Sequence, residues 1–531
     1  MTSRRSFLKT AALASTASVV VPRRAWSASR TLRPGDFMMV DIPAADLTAD
    51  TVAFLREYGV RGVCLFQRHI QSEAQTRGLV ESLRAALGPD VLVAIDQEGG
   101  GVFRTRTLPF APSAMSLGAG NDPATTEAVG QAVGRGLRAM GFNWDFAPVL
   151  DVNNNPGNPV IGDRSFGADP ALVERLGLAW MRGLSAAGVA GCVKHFPGHG
   201  DTHVDSHHGL PIVDKPLATL EALELAPFRA AARAGAPAFM TAHIVFPALD
   251  PEHPATLSRP ILTGLLRERY GYEGVITTDS MGMQAVSDRY GRGDAARMTL
   301  AAGADLVLAL GNREAQTATA EAIAAMLRDT SIPASEMRRK AERLTALARR
   351  FPVRSTPYTD AERQSDGDTM RRAWAAGLTT VGNAQPIAAR SPITVVVSQG
   401  SPGGSASDSG LSGQGLVARL AERYDVRVVT FDGAADAQEA AERDFAAFHR
   451  PGTPIVFAST SRLRLTPSVK AFAARVQPTL HLALWNPYNV ADVPAPALVT
   501  YGFRPEALDA TLAWMTGQAQ APGRLPIEMP R

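Results

Sequence analysis

Eight short apolar, β-rich runs constrain the fold of this chain more than any other feature. They occupy residues 37–42, 62–66, 91–96, 143–150, 189–195, 238–244, 275–279 and 305–310. Segments of helical period, such as 217–234 and 260–269, lie between most of them. A strand of a parallel sheet is covered on both faces and reads as continuously apolar. Eight such units predict a (β/α)8 barrel of the TIM type, with a doubly wound open sheet as the alternative arrangement. A barrel gathers its reactive groups at the C-terminal ends of its strands. Asp96 ends the third run, Asp151 follows the fourth, and Lys194 and His195 end the fifth. His243 stands near the end of the sixth and Asp279 ends the seventh. Polar groups from separate strands are therefore expected at one mouth.

The fifth run leads into the densest chemistry of the chain, K-H-F-P-G-H-G-D-T-H-V-D-S-H-H-G-L-P at 194–211. Five of the ten histidines lie there, His195, His199, His203, His207 and His208, with Asp201 and Asp205 among them. On a helix, His195, His199, His203 and His207 would stack on one face, as a metal site requires. Pro197, Gly198 and Gly200 interrupt any such helix, so the stretch reads as a loop and neither a metal nor another cofactor is expected. His203 and His208 read equally as structural groups or as groups flanking a site. His207 is different, because Asp205 stands two residues before it. An extended Asp-Ser-His places both side chains on one side of the chain. A carboxylate accepting from one imidazole nitrogen raises the basicity of the other, which makes a general acid/base.

Three further stretches carry candidate site residues. G-V-I-T-T-D-S-M-G-M at 274–283 presents Asp279 at a strand terminus, where it serves either as a reactive carboxylate or as the cap of a following helix. A helix N-terminus nearby would also help keep it ionised. Asp96-Gln97-Glu98-Gly99-Gly100-Gly101 enters a glycine turn but lacks the lysine and spacing of a nucleotide loop, and it carries two acids. Asp96 suits accepting hydrogen bonds from hydroxyls instead. Arg104 can donate to the same ligand or form a surface salt bridge, and Arg164, in the polar loop within 143–167, can reach the mouth.

Composition excludes several classes. Of 531 residues 45% are apolar and 20% charged, which describes a chain with a full core. A net charge of +3 without a basic stretch beyond the N-terminus argues against nucleic acid as a partner. Cys64 and Cys192 sit in apolar runs and read as core residues. Arg4-Arg5-Ser6-Phe7-Leu8-Lys9 is a twin-arginine pattern, followed by an apolar stretch at 10–21 and small residues near Ala28. Residues 1–28 are therefore expected to be an export signal, directing the protein to the periplasm or outside, with an uncleaved anchor as the alternative. No other apolar run reaches the ~18 residues of a membrane span, so no stable membrane insertion is expected once the signal is removed. The barrel is assigned to 31–350, a polar linker to 351–369, and a smaller α/β sandwich domain to 370–531. Its strands are expected at 393–397, 426–431, 455–458, 479–485 and 497–501, and the Gly/Ser-rich 401–414 reads as a surface loop.

The stretch K-H-F-P-G-H-G-D-T-x-x-D-S-H resembles the signature loop of the bacterial β-N-acetylhexosaminidases of glycoside hydrolase family 3. D-Q-E-G-G at 96–100, D-F-A-P-V-L-D at 145–151 and V-I-G-D-R-S-F-G at 160–167 match as well, as do T-A-H-I at 241–244, P-A-T-L-S at 254–258 and T-D-S-M at 278–281. The resemblance is dense over 34–350. It continues more loosely through W-N-P-Y, Y-G-F-R and G-R-L-P at 485–488, 501–504 and 523–526, as in two-domain members. It implies that Asp279 is the nucleophile and that His207 with Asp205 forms the acid/base dyad. It also implies that Asp96, Arg104, Arg164, Lys194 and His195 bind an N-acetylglucosamine unit, in a retaining, covalent reaction on a carbohydrate such as a peptidoglycan fragment. Phosphate in place of water as acceptor, a β-glucosidase of the same fold, and a non-catalytic sugar-binding protein are the alternatives. The family often has arginine directly after D-Q-E-G-G. Here Gly101 stands there, which bears on fine substrate preference.

Overall fold

The eight runs become eight parallel strands that close on themselves. They are β1 (Met38–Val40), β2 (Gly62–Cys64), β3 (Leu92–Ile95), β4 (Trp144–Asp145), β5 (Ala190–Phe196), β6 (Ala238–Thr241), β7 (Val275–Ser280) and β8 (Leu306–Leu308). Each pairs in parallel with its sequence neighbours, and β1 pairs with β8, so the ring is complete and the open-sheet alternative is excluded. The computed structural model describes residues 31–400, 406–407, 412–431 and 435–530. The expected export signal and most of the Gly/Ser-rich 401–414 lie outside the described residues. Arg33–Arg531 forms one compact unit.

The barrel interior is filled rather than hollow. Met39, Leu92, Trp144, Met240 and Leu306 meet inside it together with Cys64 and Cys192, both free and buried as expected. The helix Ala334–Arg350 adds Leu344 and Leu347 to the same cluster, followed by Phe351. It closes the end where the strands begin: Asn143 donates to the Phe351 carbonyl at 2.8 Å, and Lys340 donates to the Ala304 carbonyl at 3.0 Å. Only the opposite end, where the strands finish, is left to form a mouth.

Two expected elements are corrected. The segment 217–234 is two helices, Leu217–Ala222 and Leu225–Arg233, rather than one. The break leaves Glu224 buried, where its carboxylate meets Lys215 at 2.5 Å; Lys215 also meets Asp201 of the histidine loop at 2.6 Å. The polar stretch expected as a linker is helical over most of its length, because Asp360–Gly377 forms a helix. Thr359 and Glu362 cap it reciprocally. It reads as polar because much of it faces water, yet Asp366 is paired with Arg135 of the barrel and Trp374 donates to the Phe110 carbonyl at 3.0 Å.

The second part is a six-stranded sheet with helices packed against it. Its strands are β9 (Thr379–Val381), β10 (Pro392–Ser398), β11 (Asp425–Phe431), β12 (Ile455–Ser459), β13 (Leu480–Ala483) and β14 (Ala497–Val499), in the order β9-β14-β13-β12-β10-β11. Five of these match expected strands. β9, too short to show a pattern, is an antiparallel edge beside β14.

Candidate active site

A cavity of about 460 Å³ opens at the C-terminal end of the barrel. Asp96, Arg104, Arg164, Lys194, His195, His207 and Asp279, brought from four of the strands and their loops, all line it. Asp205 stands behind His207.

The floor is a chain of ion pairs. Lys194, 2% exposed, meets Asp96 at 2.7 Å and Glu98 at 2.6 Å. Arg164 donates to both oxygens of Glu98, each at 2.8 Å, in the planar bidentate geometry that arginine favours. Burial pushes the Glu98 carboxyl up, but Arg164 and Lys194 outweigh it and hold it well below the usual carboxylate range. Burial likewise opposes the charge on Lys194, and Asp96 and Glu98 more than restore it. The floor is thus fully charged and internally balanced. His195 is fixed beside it: its Nδ1 faces Asp151 Oδ2 at 2.7 Å, and Asp151 Oδ1 accepts from the backbone N–H groups of His195 at 3.1 Å and His199 at 2.7 Å. With Nδ1 donating to a carboxylate, Nε2 of His195 is left as the acceptor and faces an Arg164 terminal nitrogen at 3.5 Å.

The histidine loop after β5 is held by its own side chains. His199 is buried, with Nδ1 2.9 Å from Thr202 Oγ1 and Nε2 2.9 Å from Ser206 Oγ. Burial pushes its pKa down to about 4, so the ring is neutral. The next residue after Ser206 is His207, whose Nδ1 lies 2.7 Å from Asp205 Oδ1. The pairing is as expected, but the backbone reason is not. Residues 205–208 form a turn, in which the His207 N–H also donates to Asp205 Oδ1 at 3.0 Å and the His208 N–H donates to the Asp205 carbonyl at 2.9 Å. This is the Asx geometry an aspartate readily adopts, not an extended strand.

Asp279 belongs to β7 and caps nothing, since the next helix, Gln284–Ser287, begins after Met283. Its Oδ1 accepts from the Ser280 N–H at 2.7 Å. Burial raises its pKa, but His195, His243 and His207 more than compensate and bring it down to about 2. His243, buried, donates from Nε2 to the Ser280 carbonyl at 3.0 Å, while its Nδ1 meets Thr256 Oγ1 at 2.8 Å. It braces the strand end that carries Asp279.

Asp151 and His243, expected at the mouth but given no role there, and Glu98 are therefore parts of the site beyond the residues assigned to catalysis or sugar binding. Each had a visible signal, an acid in the glycine turn or a polar residue at a strand end. What pattern alone does not show is which charge each one meets.

The second part of the chain also reaches the mouth. Of the stretch expected as a surface loop, the described residues 406–407 are only partly exposed; Ala406 lines the cavity, and its carbonyl accepts from Arg104 at 3.0 Å. Gly101 is explained by the same contact. A Cβ there would lie 3.1 Å from the Trp485 ring and 3.5 Å from the Ser407 side chain, so a larger residue would push the two parts away from each other. Arg504 donates to the Gly100 carbonyl at 3.0 Å, and Arg462 donates to the carbonyls of Pro159, at 2.7 Å, and Val160 beside Arg164.

The family profile described as the glycosyl hydrolase family 3 N-terminal domain matches residues 33–347, the whole barrel. The chain belongs to glycoside hydrolase family 3. Among its relatives in this family, beta-hexosaminidase A of Pseudoalteromonas piscicida is 39% identical over 279 residues, 48% of this chain and 46% of that protein. This chain thus spans less than half of that relative. The beta-hexosaminidase of Alkalilimnicola ehrlichii is 37% identical over 286 residues, 52% of this chain and 81% of that one. A solved family 3 β-N-acetylglucosaminidase from Paenibacillus sp. superposes on both parts of this family 3 chain. Its TM-score is 0.86 at 31% identity, and the match covers 94% of this chain and 99% of that one.

Proposed function

We propose that this family 3 glycoside hydrolase is a retaining exo-β-N-acetylglucosaminidase that removes terminal β-linked N-acetylglucosamine from peptidoglycan fragments or related glycosides. The observation that carries the reading is the Asp205–His207 pair facing the same cavity as the ionised Asp279. With Nδ1 given to Asp205, only Nε2 of His207 is available for proton transfer.

In the first step an Asp279 oxygen attacks the anomeric carbon. The glycosidic C–O bond breaks, and His207 Nε2–H protonates the departing oxygen. In the second step the neutral Nε2 takes a proton from water, whose oxygen displaces Asp279 and restores the carboxylate. Asp205 stabilises the imidazolium that donates in the first step and is regenerated in the second. Asp96, Lys194, Arg104, Arg164 and His195 hold the sugar. Their rigid ion pairs keep the hydroxyl-binding atoms in place without reorganisation during the reaction. Retaining glycosidases generally use two carboxyl groups about 5–5.5 Å apart. An imidazole as the second group lets an anionic acceptor approach without like-charge repulsion, so phosphate is a reasonable competitor of water.

The decisive experiment uses an activated chromogenic β-N-acetylglucosaminide and an unactivated disaccharide, with product stereochemistry followed by NMR. Retention of configuration, loss of turnover in Asp279→Ala, and a much larger loss in His207→Ala on the disaccharide than on the activated substrate are expected. Near-normal turnover by Asp279→Ala sinks the assignment. Sugar 1-phosphate appearing in phosphate buffer would identify phosphorolysis. The Arg4-Arg5 segment supports export through the twin-arginine route, and replacing both arginines by lysine should retain the protein in the cytoplasm on fractionation.

A further inference from the structure

The cavity holds one more cation than its own carboxylates neutralise. Five arginine and lysine side chains line it against four aspartates and glutamates. Lys194 and Arg164 are consumed by Asp96 and Glu98, and Arg68, on the loop after β2, is paired with Asp41. Arg104 is committed to the rim contact with Ala406. Arg292 has no carboxylate within ion-pair distance among the described residues. Its one hydrogen bond is a long one, 3.5 Å, to the Leu310 carbonyl. It is only half exposed, and loss of hydration is the sole influence on its pKa, which it lowers.

The place of Arg292 matters as much as its charge. The groups assigned to the sugar come from β3, β5 and the loop after β4. Arg292 follows β7, beyond Asp279, and lines the same cavity with its guanidinium beside Gly282 and the Leu310 carbonyl. Space is kept for it: a Cβ on Gly282 would lie 3.1 and 3.3 Å from its two terminal nitrogens. N-acetylglucosamine is uncharged and gives a lone guanidinium nothing to neutralise. A half-buried charge without a partner is a cost to the fold unless a ligand completes it. The planar fork of arginine suits a carboxylate.

We propose that Arg292 forms a leaving-group subsite that binds a carboxylate carried by the aglycone, so that the enzyme favours acidic over neutral aglycones. The inference rests on the N-acetylglucosaminidase reading. The acid it fits is one close to the scissile bond, such as the lactyl carboxylate of an N-acetylmuramic acid unit. Apolar Met283 and Leu310 line the same cavity and would accept the body of that unit.

The test compares N-acetylglucosaminyl-β-1,4-N-acetylmuramic acid with its methyl ester, which removes the charge at the cost of one added methyl group. The wild-type protein should show a kcat/KM ratio favouring the acid by about tenfold, mostly through KM, and shrinking as salt is added. Arg292→Gln should bring that ratio close to one, and Arg292→Lys should retain part of it. Because each variant is judged by a ratio, a general loss of activity does not imitate the effect. Equal ratios in wild type and Arg292→Gln overturn the subsite. If Arg292→Gln instead abolishes only phosphate-dependent formation of sugar 1-phosphate, the anion is the acceptor and the leaving-group assignment is overturned. Turnover of the ester without preference for the acid sinks this inference alone. Failure to cleave any N-acetylglucosaminide, including the chromogenic one, sinks the functional reading with it.

Discussion

At the scale of single residues, the site separates charges that must stay fixed from a group that must change. Asp96, Glu98, Lys194 and Arg164 neutralise one another in the floor, where breaking any partner would strand a buried charge. Asp279 is also kept in one state, with its pKa lowered to about 2 from an ordinary 3.8. A depressed carboxyl is ionised at every pH above that value, so Asp279 is ready for attack across the whole working range. Any acidic limb in turnover above about pH 4 must come from another group. The check is the rate of covalent labelling by a fluorinated N-acetylglucosaminide whose leaving group needs no proton. That rate should be flat from about pH 4 to 8. A limb within the range would show that Asp279 titrates higher than its surroundings imply.

At the scale of elements, the histidine loop after β5 is positioned from inside and from beneath. Gly200 lies against the loop after β4, where a Cβ would come within 1.7 Å of the Val152 carbonyl, closer than any side chain tolerates. Gly200→Ala should therefore lift the loop and with it His207. Turnover of unactivated disaccharides should fall by about 10² or more while activated substrates are affected much less, the pattern expected of lost acid catalysis. Equal losses on both would place the damage elsewhere. His199 provides the internal brace. Its pKa falls from 6.5 to about 4 on folding, so the unfolded loop binds a proton more readily than the folded one. The stability it contributes is complete above about pH 6.5 and is lost as the pH falls toward 4. Amide protection factors across residues 199–208, which are corrected for the intrinsic exchange rate, should fall as the pH drops over that interval in the wild type. His199→Gln, which does not titrate, should remove the pH dependence.

At the scale of the whole molecule, the second part of the chain is a buttress for the mouth. Arg462 ties down the carbonyls of Pro159 and Val160, and the Tyr488 hydroxyl meets the Asn153 side chain at 3.2 Å. Met115 and Ala119 of the barrel share an apolar cluster with Tyr488 and Tyr501. Arg462→Ala should leave the Arg164 loop less ordered, and KM for a chromogenic substrate should rise several-fold with a smaller change in kcat. An unchanged KM would show that the loop keeps its place unaided. Among the described residues, no helix is long and apolar enough to cross a membrane.

The barrel was legible in the sequence because a parallel strand covered on both faces leaves a continuous apolar run, and all eight such runs became strands. Asp96, Lys194, His195 and Asp279 were legible because strand order places their ends at one mouth. The Asp205–His207 pair was legible from proximity alone, although a turn rather than an extended strand brings the two together. Other features had no local signature. The short edge strand β9 and the division of 217–234 depend on what each segment packs against, whereas the helix from Asp360 did carry one, the Thr359–Glu362 capping pair. The pairing of Glu98 with Arg164, of Asp151 with His195, and of His243 with the Ser280 carbonyl joins residues far apart in the chain. Linear pattern reports periodicity and local chemistry, whereas the partner of a charge is settled only when distant strands close into a ring. For the same reason Arg292 passes unnoticed in the sequence as one arginine among many. Only the folded cavity, in which each neighbouring cation is already engaged, leaves it free to meet a ligand.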